Sequence, residues 1–239
     1  PAFILGVQVG FNFPFSHIQK VYSILDGADY SKKYTPQIGV VSGLHMEWVF
    51  MPGLSINADP TYSRSTYSRD ITGKNDWKLN YSETFVNYDI SGMIRYTYNF
   101  HTVRLSVAAG YQYLRIDKAF ADLELNSAAS TTSGLTTYPS YQLAVNKIDM
   151  IQYDLRKRDF GFWVVGAGIA YQTDNFIFSL DARYAYSNKN IVNSEKRYAN
   201  NQLVMDYFYT DNDFDISRVE ARAGVAYILD HKIRPRKIK

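Results

Sequence analysis

A histidine close to a carboxylate is the residue combination in this sequence with the clearest capacity for chemistry. Among the four histidines only His45 falls on a predicted strand, and Glu47 follows it by two residues. Residues at i and i+2 of a strand point to the same face, so this pair could act as an acid–base couple, bind a metal ion or simply hydrogen-bond in an interior. No nucleophile, base and orienting group can be assembled around His45. We therefore expect a protein with no catalytic site, no metal and no cofactor.

Composition excludes several further classes of function. The 239 residues contain no cysteine, which rules out a disulfide scaffold, a thiolate metal site and a cysteine nucleophile. A formal charge of +3 is too small to indicate nucleic-acid binding. The acidic segment 211–215 lacks the glycine and the distal glutamate of a calcium loop and is interpreted as a solvated loop. The mean hydropathy is −0.28 and no apolar run approaches about 18 residues, which excludes a helical membrane span.

The elements that position the polar residues are predicted to be strands, because apolar and polar residues alternate with a period of two. The pattern recurs in eight segments, which are 3–13, 38–50, 54–63, 86–98, 103–113, 163–172, 176–187 and 218–229. The connections alternate in length: three are minimal, at 51–53, 100–102 and 173–175, and four are long, at roughly 14–34, 67–83, 117–158 and 187–214. Alternating short and long connections predict an all-β fold, an eight-stranded antiparallel up-and-down transmembrane β-barrel with short periplasmic turns and long extracellular loops.

Aromatic residues indicate which face of the strands meets lipid. A soluble barrel would show the same alternation with its apolar residues inside. Here the polar face is rich in glycine, as a narrow interior requires, and the other face carries large aromatics at both of its ends. One predicted belt, near the periplasmic end, is Trp48, Phe50, Tyr96, Tyr98, Tyr171, Phe176, Phe178 and Tyr227. The other predicted belt is Phe11, Phe13, Tyr62, Tyr88, Tyr111, Tyr113, Trp163, Tyr184 and Tyr186. Such belts are typical of a barrel in a bilayer.

Charges on the polar face are balanced, which favours a closed interior. Five are acidic and five are basic, namely Glu47, Asp59, Asp89, Asp181 and Glu220 against Arg95, Arg104, Arg183, Arg218 and Arg222. Buried charges are tolerated when they are paired. The ten residues are therefore predicted to form an ion-pair network that plugs the lumen, with the alternative that they only line a wet gap.

Several stretches resemble a known family of small barrels. They are Leu54 to Arg64 (LSINADPTYSR), Tyr88 to Tyr98 (YDISGMIRYTY), Val103 to Tyr113 (VRLSVAAGYQY) and Phe160 to Ile191. Together they are similar to the PorT-like outer-membrane β-barrel family of Bacteroidota, over most of the chain apart from the long loops. The chain differs from that family in carrying Ser91-Gly92 in place of an Ile-Pro step and in continuing beyond its last strand. The resemblance implies the fold and an integral outer-membrane location more than a task.

Residues outside the strands carry the remaining predictions. We assign residues 1–229 to the barrel and 230–239 to a basic periplasmic tail, which is either a tether to a periplasmic partner or a solvated end. The basic residues of the tail are Lys232, Arg234, Arg236, Lys237 and Lys239. An apolar run within 135–155 is expected either to cap the barrel mouth or to dock onto another protein. Basic residues that could pair with lipopolysaccharide phosphates are Arg64, Arg69, Lys74 and Lys78.

The function predicted from these features is structural or accessory. We expect a subunit of a larger cell-envelope complex, such as secretion or assembly machinery, with protein partners in the outer membrane or periplasm, lipid and lipopolysaccharide around it and no nucleic-acid partner. The alternative is a free-standing barrel that acts as an envelope anchor, a ligand-binding protein or an adhesin through its loops. An outer-membrane enzyme is the third possibility.

Overall fold

The computed structural model of the chain describes residues 2–22, 34–72, 77–127, 130–132, 136–138, 141–207 and 209–229. The strands in these ranges are β1 (Ala2–Lys20), β2 (Tyr34–Met51), β3 (Leu54–Thr72), β4 (Trp77–Phe100), β5 (Val103–Ser127), β6 (Ser130–Thr132), β7 (Thr136–Tyr138), β8 (Tyr141–Asp149), β9 (Asp159–Gln172), β10 (Phe176–Tyr186) and β11 (Asp213–Ile228). A 3₁₀ turn (Ser194–Lys196) and the helix α1 (Asn201–Met205) lie between β10 and β11. No helix in the described ranges is long and apolar enough to cross a membrane.

Eight of these strands close into one antiparallel ring. Pairing runs from β1 through β2, β3 and β4 to β5, then through β9, β10 and β11 back to β1. The tight turns β2–β3, β4–β5 and β9–β10 lie at the end where β1 begins, and Gly53 allows the first of them with a positive φ of 80°. The predicted eight-stranded up-and-down barrel is confirmed. Strand β8 stands outside the ring and pairs with the far part of β5, and β6 and β7 form a separate hairpin.

The register of the ring sets its tilt and width. A path of paired residues runs from Phe3 through Trp48, Ile56, Ile94, Ala109, Val165, Tyr184 and Val219 and returns to β1 at Phe13, ten residues further along. With strands about 4.8 Å apart and a rise of about 3.3 Å per residue, this displacement implies a tilt of about 40° and a backbone radius of about 8 Å. A barrel of this width is filled by its own side chains.

Aromatic side chains lie in two belts on the outside of the ring. On three strands a lower and an upper aromatic are eight residues apart, as in Tyr171 and Trp163 of β9, Tyr96 and Tyr88 of β4, and Phe178 and Tyr186 of β10. At the tilt above, this spacing corresponds to a height of roughly 20 Å, slightly less than the apolar band of outer-membrane barrels. The residues predicted for the belts are exposed except Phe13 and Phe50, which are half-buried. A register shift between Val49 and Met51 falls at Phe50, which packs on Trp48 with ring centroids 5.8 Å apart.

Above the upper belt the alternation continues with its polarity reversed. Inward side chains of β3, β4 and β5 in this part are apolar and buried, such as Tyr67, Ile71, Leu79, Tyr81, Phe85, Leu123 and Leu125. The residues between them face outward and are mostly polar, such as Ser68, Asp70, Lys78, Asn80 and Glu124. The reversal marks the change of surroundings from lipid to water, because each solvent selects the side chains that face it.

This reversal explains why three of the predicted loops are wrong in part. Segment 67–83 is mostly strand, since β3 reaches Thr72 and β4 begins at Trp77, and β5 extends to Ser127 inside the predicted loop 117–158. Strand β1 likewise extends to Lys20. The apolar outer face ends at the membrane surface, whereas the strands continue beyond it. The basic tail at 230–239 and Lys74 lie outside the described residues.

The extended strands and the connections above them build a head, defined as the described residues above the upper belt. Its apolar core includes Tyr67, Leu79, Tyr81, Phe85, Leu123, Leu125, Ile148, Met150, Ile151, Leu155, Ile191, Val192, Leu203, Tyr207, Tyr209 and Phe214. Ile148, Met150, Ile151 and Leu155 come from the apolar run whose role was open, so this half of the run packs into the head. The head therefore closes the mouth of the barrel with a core like that of a soluble protein.

Substitution of Val107 tests whether the outer face of the barrel strands is exposed to lipid. Val107 is exposed and pairs with Ala167, midway between Tyr171 and Trp163. We expect Val107→Arg to lower the free energy of unfolding by about 2–4 kcal/mol, because an arginine at the midplane of a bilayer is poorly solvated. Asn80→Arg, at an exposed position of the head, is the matched control and should change it by less than about 1 kcal/mol. Urea unfolding from lipid vesicles measures both, and equal losses would contradict the assignment of the lipid face.

Candidate functional site

The ten charged residues predicted for the lumen all point into it, and they pair one to one. The closest nitrogen–oxygen distances are 2.5 Å for Arg222 and Glu220, 2.6 Å for Arg183 and Asp59, 3.2 Å for Arg95 and Asp181, 3.2 Å for Arg218 and Asp89, and 3.6 Å for Arg104 and Glu47. In the register of β10 and β11, Arg183 stands opposite Glu220 and Asp181 opposite Arg222. Nη2 of Arg218 also lies 3.7 Å from Glu220 Oε1, which links two of the pairs, and we call the ten residues the lumen ladder.

The lumen ladder extends through the thickness of the membrane. Arg104 follows the β4–β5 turn at the periplasmic end, and Arg218 precedes Val219, which pairs with Tyr184 of the upper belt. Above it, the ring of Phe162 lies 5.2 Å from the guanidinium carbon of Arg218. Charges at every level are thus neutralised locally, which a narrow interior surrounded by lipid requires.

Two uncharged residues that the sequence analysis missed support the carboxylates of the ladder. The amide of Asn57 donates to Asp59 Oδ2 at 3.0 Å, and the Ser63 hydroxyl donates to Asp89 Oδ2 at 2.8 Å. Both are buried and share the inward parity of Asp59 on β3. That parity was readable in the sequence, but only the fold shows which carboxylate each residue meets.

His45 bridges two strands at a gap in their backbone pairing. Strands β2 and β3 pair at Gly43 with Thr61 and again at Met46 with Ala58, but not in between, where Pro60 lacks a backbone N–H. At this gap Nδ1 of His45 lies 2.7 Å from Asp59 Oδ1, and Nε2 lies 3.3 Å from Glu47 Oε2. The structure therefore brings His45 and Glu47 together, as the sequence spacing indicated, and adds Asp59 from the next strand. No group of three His, Asp or Glu in the described residues is arranged to bind a metal ion.

The head is centred on Arg156, which is fully buried and comes from the connection between β8 and β9. Its Nε and Nη2 donate to Glu83 at 2.9 and 2.7 Å, and its Nη1 and Nη2 donate to Asp211 at 2.8 and 2.9 Å. Nη1 also donates to the carbonyl of Leu155 at 3.2 Å. All five N–H groups of the guanidinium are thus used, which is the condition under which a buried arginine is stable.

Three tyrosines complete this arrangement, which we call the Arg156 cluster. Tyr67 and Tyr81 donate to Glu83, and Tyr209 donates to Asp211 Oδ1 at 2.7 Å. The cluster joins β3 and β4, the connection after β8 and the connection before β11. It therefore fastens both long connections to the extended barrel wall.

Burial and charge keep the cluster in one protonation state. Burial, reinforced by the charge of Glu83, raises the pKa of Tyr67 and of Tyr81 well above the usual value, and burial with the charge of Asp211 does the same to the pKa of Tyr209. Burial alone would lower the pKa of Arg156, but the charges of Asp211 and Glu83 outweigh it and raise that pKa. The tyrosines therefore remain donors and the arginine remains charged at neutral pH.

Two sequence interpretations are corrected by the head. Segment 211–215 is not a solvated loop, because Asp211 and Asn212 are buried. In addition, Arg197 Nη2 donates a hydrogen bond to Asp213 Oδ1 at 2.5 Å. Arg69 cannot meet lipopolysaccharide, because it points inward, is buried and donates to the Tyr34 hydroxyl at 3.3 Å. Burial is the largest cause of the rise in the pKa of Tyr34 to about 12.

Arg64 is exposed two residues above Tyr62 of the upper belt, near the outer leaflet, whereas the exposed Lys78 lies ten residues beyond Tyr88, high on the head and far from the lipid. Two residues of the Arg156 cluster were also missed by the sequence analysis. Glu83 has the same inward parity on β4 as Asp89, so this parity could have indicated it. Arg156 lies in a connection, where no alternation marks a buried position.

A closed ring of eight tilted strands with an apolar belted exterior and a charged interior defines an integral outer-membrane β-barrel protein. The model of the family described as "Outer membrane protein beta-barrel domain" matches residues 2–193, and the chain belongs to this family. It lies in the outer membrane, surrounded by lipid and lipopolysaccharide.

The chain is similar to solved outer-membrane proteins at low sequence identity. The outer membrane protein OprG from Pseudomonas aeruginosa is 12% identical with a TM-score of 0.53, and the match covers 95% of each chain. Neisserial surface protein A is 15% identical with a TM-score of 0.42, covering 94% of this chain and 96% of that one. No curated protein matches the sequence.

Glu83→Gln tests the role of the Arg156 cluster. Among the described residues, the substitution leaves Arg156 with Asp211 as its one charged partner, and we expect a loss of roughly 3–5 kcal/mol in the stability of the head. Trypsin added to barrels in vesicles should then cleave after the exposed Lys157 and Arg158 faster than in the unaltered protein. Asp154→Asn, an exposed carboxylate of the same connection, is the control. Equal cleavage rates for the two variants would contradict this role.

Proposed function

We propose that this protein is a closed, non-conducting barrel with a structural or accessory role, as a subunit of a larger cell-envelope complex in secretion or assembly. The observation that carries the proposal is the pairing of all ten lumen charges with one another beneath a head that has its own core. A lumen occupied in this way leaves little room for transport. What the molecule offers to other molecules is its outer surface.

The resemblance to the PorT-like barrels of Bacteroidota supports a place in that family, because it rests on stretches from several strands of the chain. The stretches Leu54 to Arg64 and Val103 to Tyr113 lie on β3 and β5, within the barrel wall. We propose that the chain is a PorT-like barrel and that its partners are proteins of the outer membrane or periplasm.

A second candidate is a free-standing barrel that binds through its head. Large apolar side chains on the connections of the head are exposed, such as Tyr153, Tyr198 and Met205. Such residues suit contact with a ligand or another cell surface. This candidate needs no partner within the membrane.

We propose no catalytic role. Both ring nitrogens of His45 lie against carboxylates, so neither is free to accept a proton from a nucleophile. The position of His45 between the belts also keeps it away from substrates at the outer rim.

Conductance tests the closed lumen. Purified protein in a planar lipid bilayer should give no large and long-lived channel, because the lumen ladder and the head obstruct the path of ions. Glu83→Gln, which loosens the head but leaves the ladder intact, should also fail to conduct steadily. A stable channel in the unaltered protein would contradict the plug and favour the wet gap.

Purification from native membranes tests the accessory role. In mild detergent the barrel should run as a discrete complex, with a partner present in fixed proportion that mass spectrometry identifies. A strictly monomeric barrel without a partner would count against the accessory role. If the second candidate is correct, the double substitution Tyr198→Asp and Met205→Asp, at exposed residues of the head, should abolish binding to whole cells while assembly in the membrane is unaffected.

A further inference from the structure

Strand β8 presents an unpaired edge on the outside of the cell. It pairs with β5 from Phe120 to Ser127, a segment whose other edge is already occupied by β4. Among the described residues no strand pairs with the second edge of β8, and β6 and β7 pair only with each other. A row of backbone N–H and C=O groups at such an edge is a template for another strand.

The apolar face of the head continues to this edge. Leu143 and Val145 stand opposite Leu125 and Leu123, which are buried in the core. Val145 is only partly buried and Leu143 is 41% exposed, and no strand in the described residues lies beside them at the open edge. An added strand would cover both side chains.

The opposite face of β8 is polar. Gln142 stands opposite Asn126 and donates to Glu124 Oε1 at 2.8 Å, and the exposed Ala144 stands opposite Glu124. An added strand would therefore alternate, with apolar residues beside Leu143 and Val145 and polar residues on the other face.

Only the first part of β8 has an edge with which another strand could pair. A register shift lies opposite Asp122, where Lys147 has a φ of 59° and its N–H bonds Asp122 Oδ1 at 2.7 Å. Bulges and lysines interrupt an edge and prevent further pairing. The available edge is thus Tyr141–Val145, long enough for a short segment and too short for open-ended aggregation.

The direction of β8 argues against a second copy as the occupant. Strand β5 runs outward from the membrane, so its antiparallel neighbour β8 runs back toward the membrane. In another copy in the same membrane β8 has the same direction. Antiparallel pairing between the two would require one barrel to be inverted, which a common insertion direction forbids.

We propose that the edge Tyr141–Val145 binds an extended, alternating apolar and polar segment of a different protein at the cell surface, by antiparallel strand addition. The proposal gives the accessory role a binding surface and rests on that role for the existence of a partner. Synthetic peptides test it without the natural partner. A failure of peptide binding would therefore count against this binding edge, whereas a failure of the native purification would count against the accessory role.

The probe is a fluorescein-labelled peptide, Lys-Thr-Val-Thr-Val-Thr-Val-Lys, whose anisotropy is measured with the full barrel in detergent. Binding should saturate. N-methylation of alternate amides along one edge of the peptide should abolish binding, while N-methylation along the other edge should leave it unchanged, because a strand bonds its neighbour through one edge only. No binding, or equal effects of the two methylation patterns, would overturn the proposal.

Protein variants locate the binding edge. Leu143→Asp should weaken peptide binding about tenfold or more, since the apolar contact is lost. Val21→Asp, at an exposed apolar residue that follows β1 on the opposite side of the ring from β5, should leave it unchanged. Both variants should keep the heat-modifiable electrophoretic mobility of a folded barrel. Equal effects of the two variants, or a concentration-dependent dimer abolished by Leu143→Asp, would overturn the proposal in favour of another surface or a second copy.

Discussion

Lipid on the outside of the ring is the constraint on which the rest of this structure depends. Because the outer face must be apolar, the alternating inner face receives the polar residues, and a ring about 8 Å in radius leaves them no bulk water for solvation. Charges inside can then persist only in pairs, which is why five acids and five arginines meet one to one. His45 also contacts interior carboxylates, because its ring lies between Asp59 and Glu47. It bridges β2 and β3 at the point where Pro60 interrupts their backbone pairing.

The same reasoning explains the head, where water replaces lipid. The strands continue above the belts, but their apolar residues now point inward and need a cover. The connections after β8 and before β11 supply it, and Arg156 holds them to the wall through Glu83 and Asp211. Strand β8 covers one side of the core only in part, so Leu143 stays exposed beside an edge with which no other described strand pairs.

Local patterns predicted much of the fold. Period-two alternation identified eight strands, their inward parity identified the lumen charges, and short connections identified the periplasmic end. The same method failed above the membrane, where it treated the reversed pattern of Tyr67 and Ile71 as the start of a loop. It also placed Arg69 outside and Asp211 in solvent, because a charged residue near a predicted loop carries no sign of burial.

The sequence by itself determined the number of strands in the barrel, the face that meets lipid and the balance of interior charge, because each depends on residue type and on a period of two along one strand. Only the tertiary structure decided which acid meets which arginine, since partners such as Arg183 and Asp59 lie on strands brought together by the ten-residue displacement around the ring. It also decided that Arg156, Glu83 and Asp211 form one cluster, because they are far apart in the chain and meet only after the head has folded over the closed barrel.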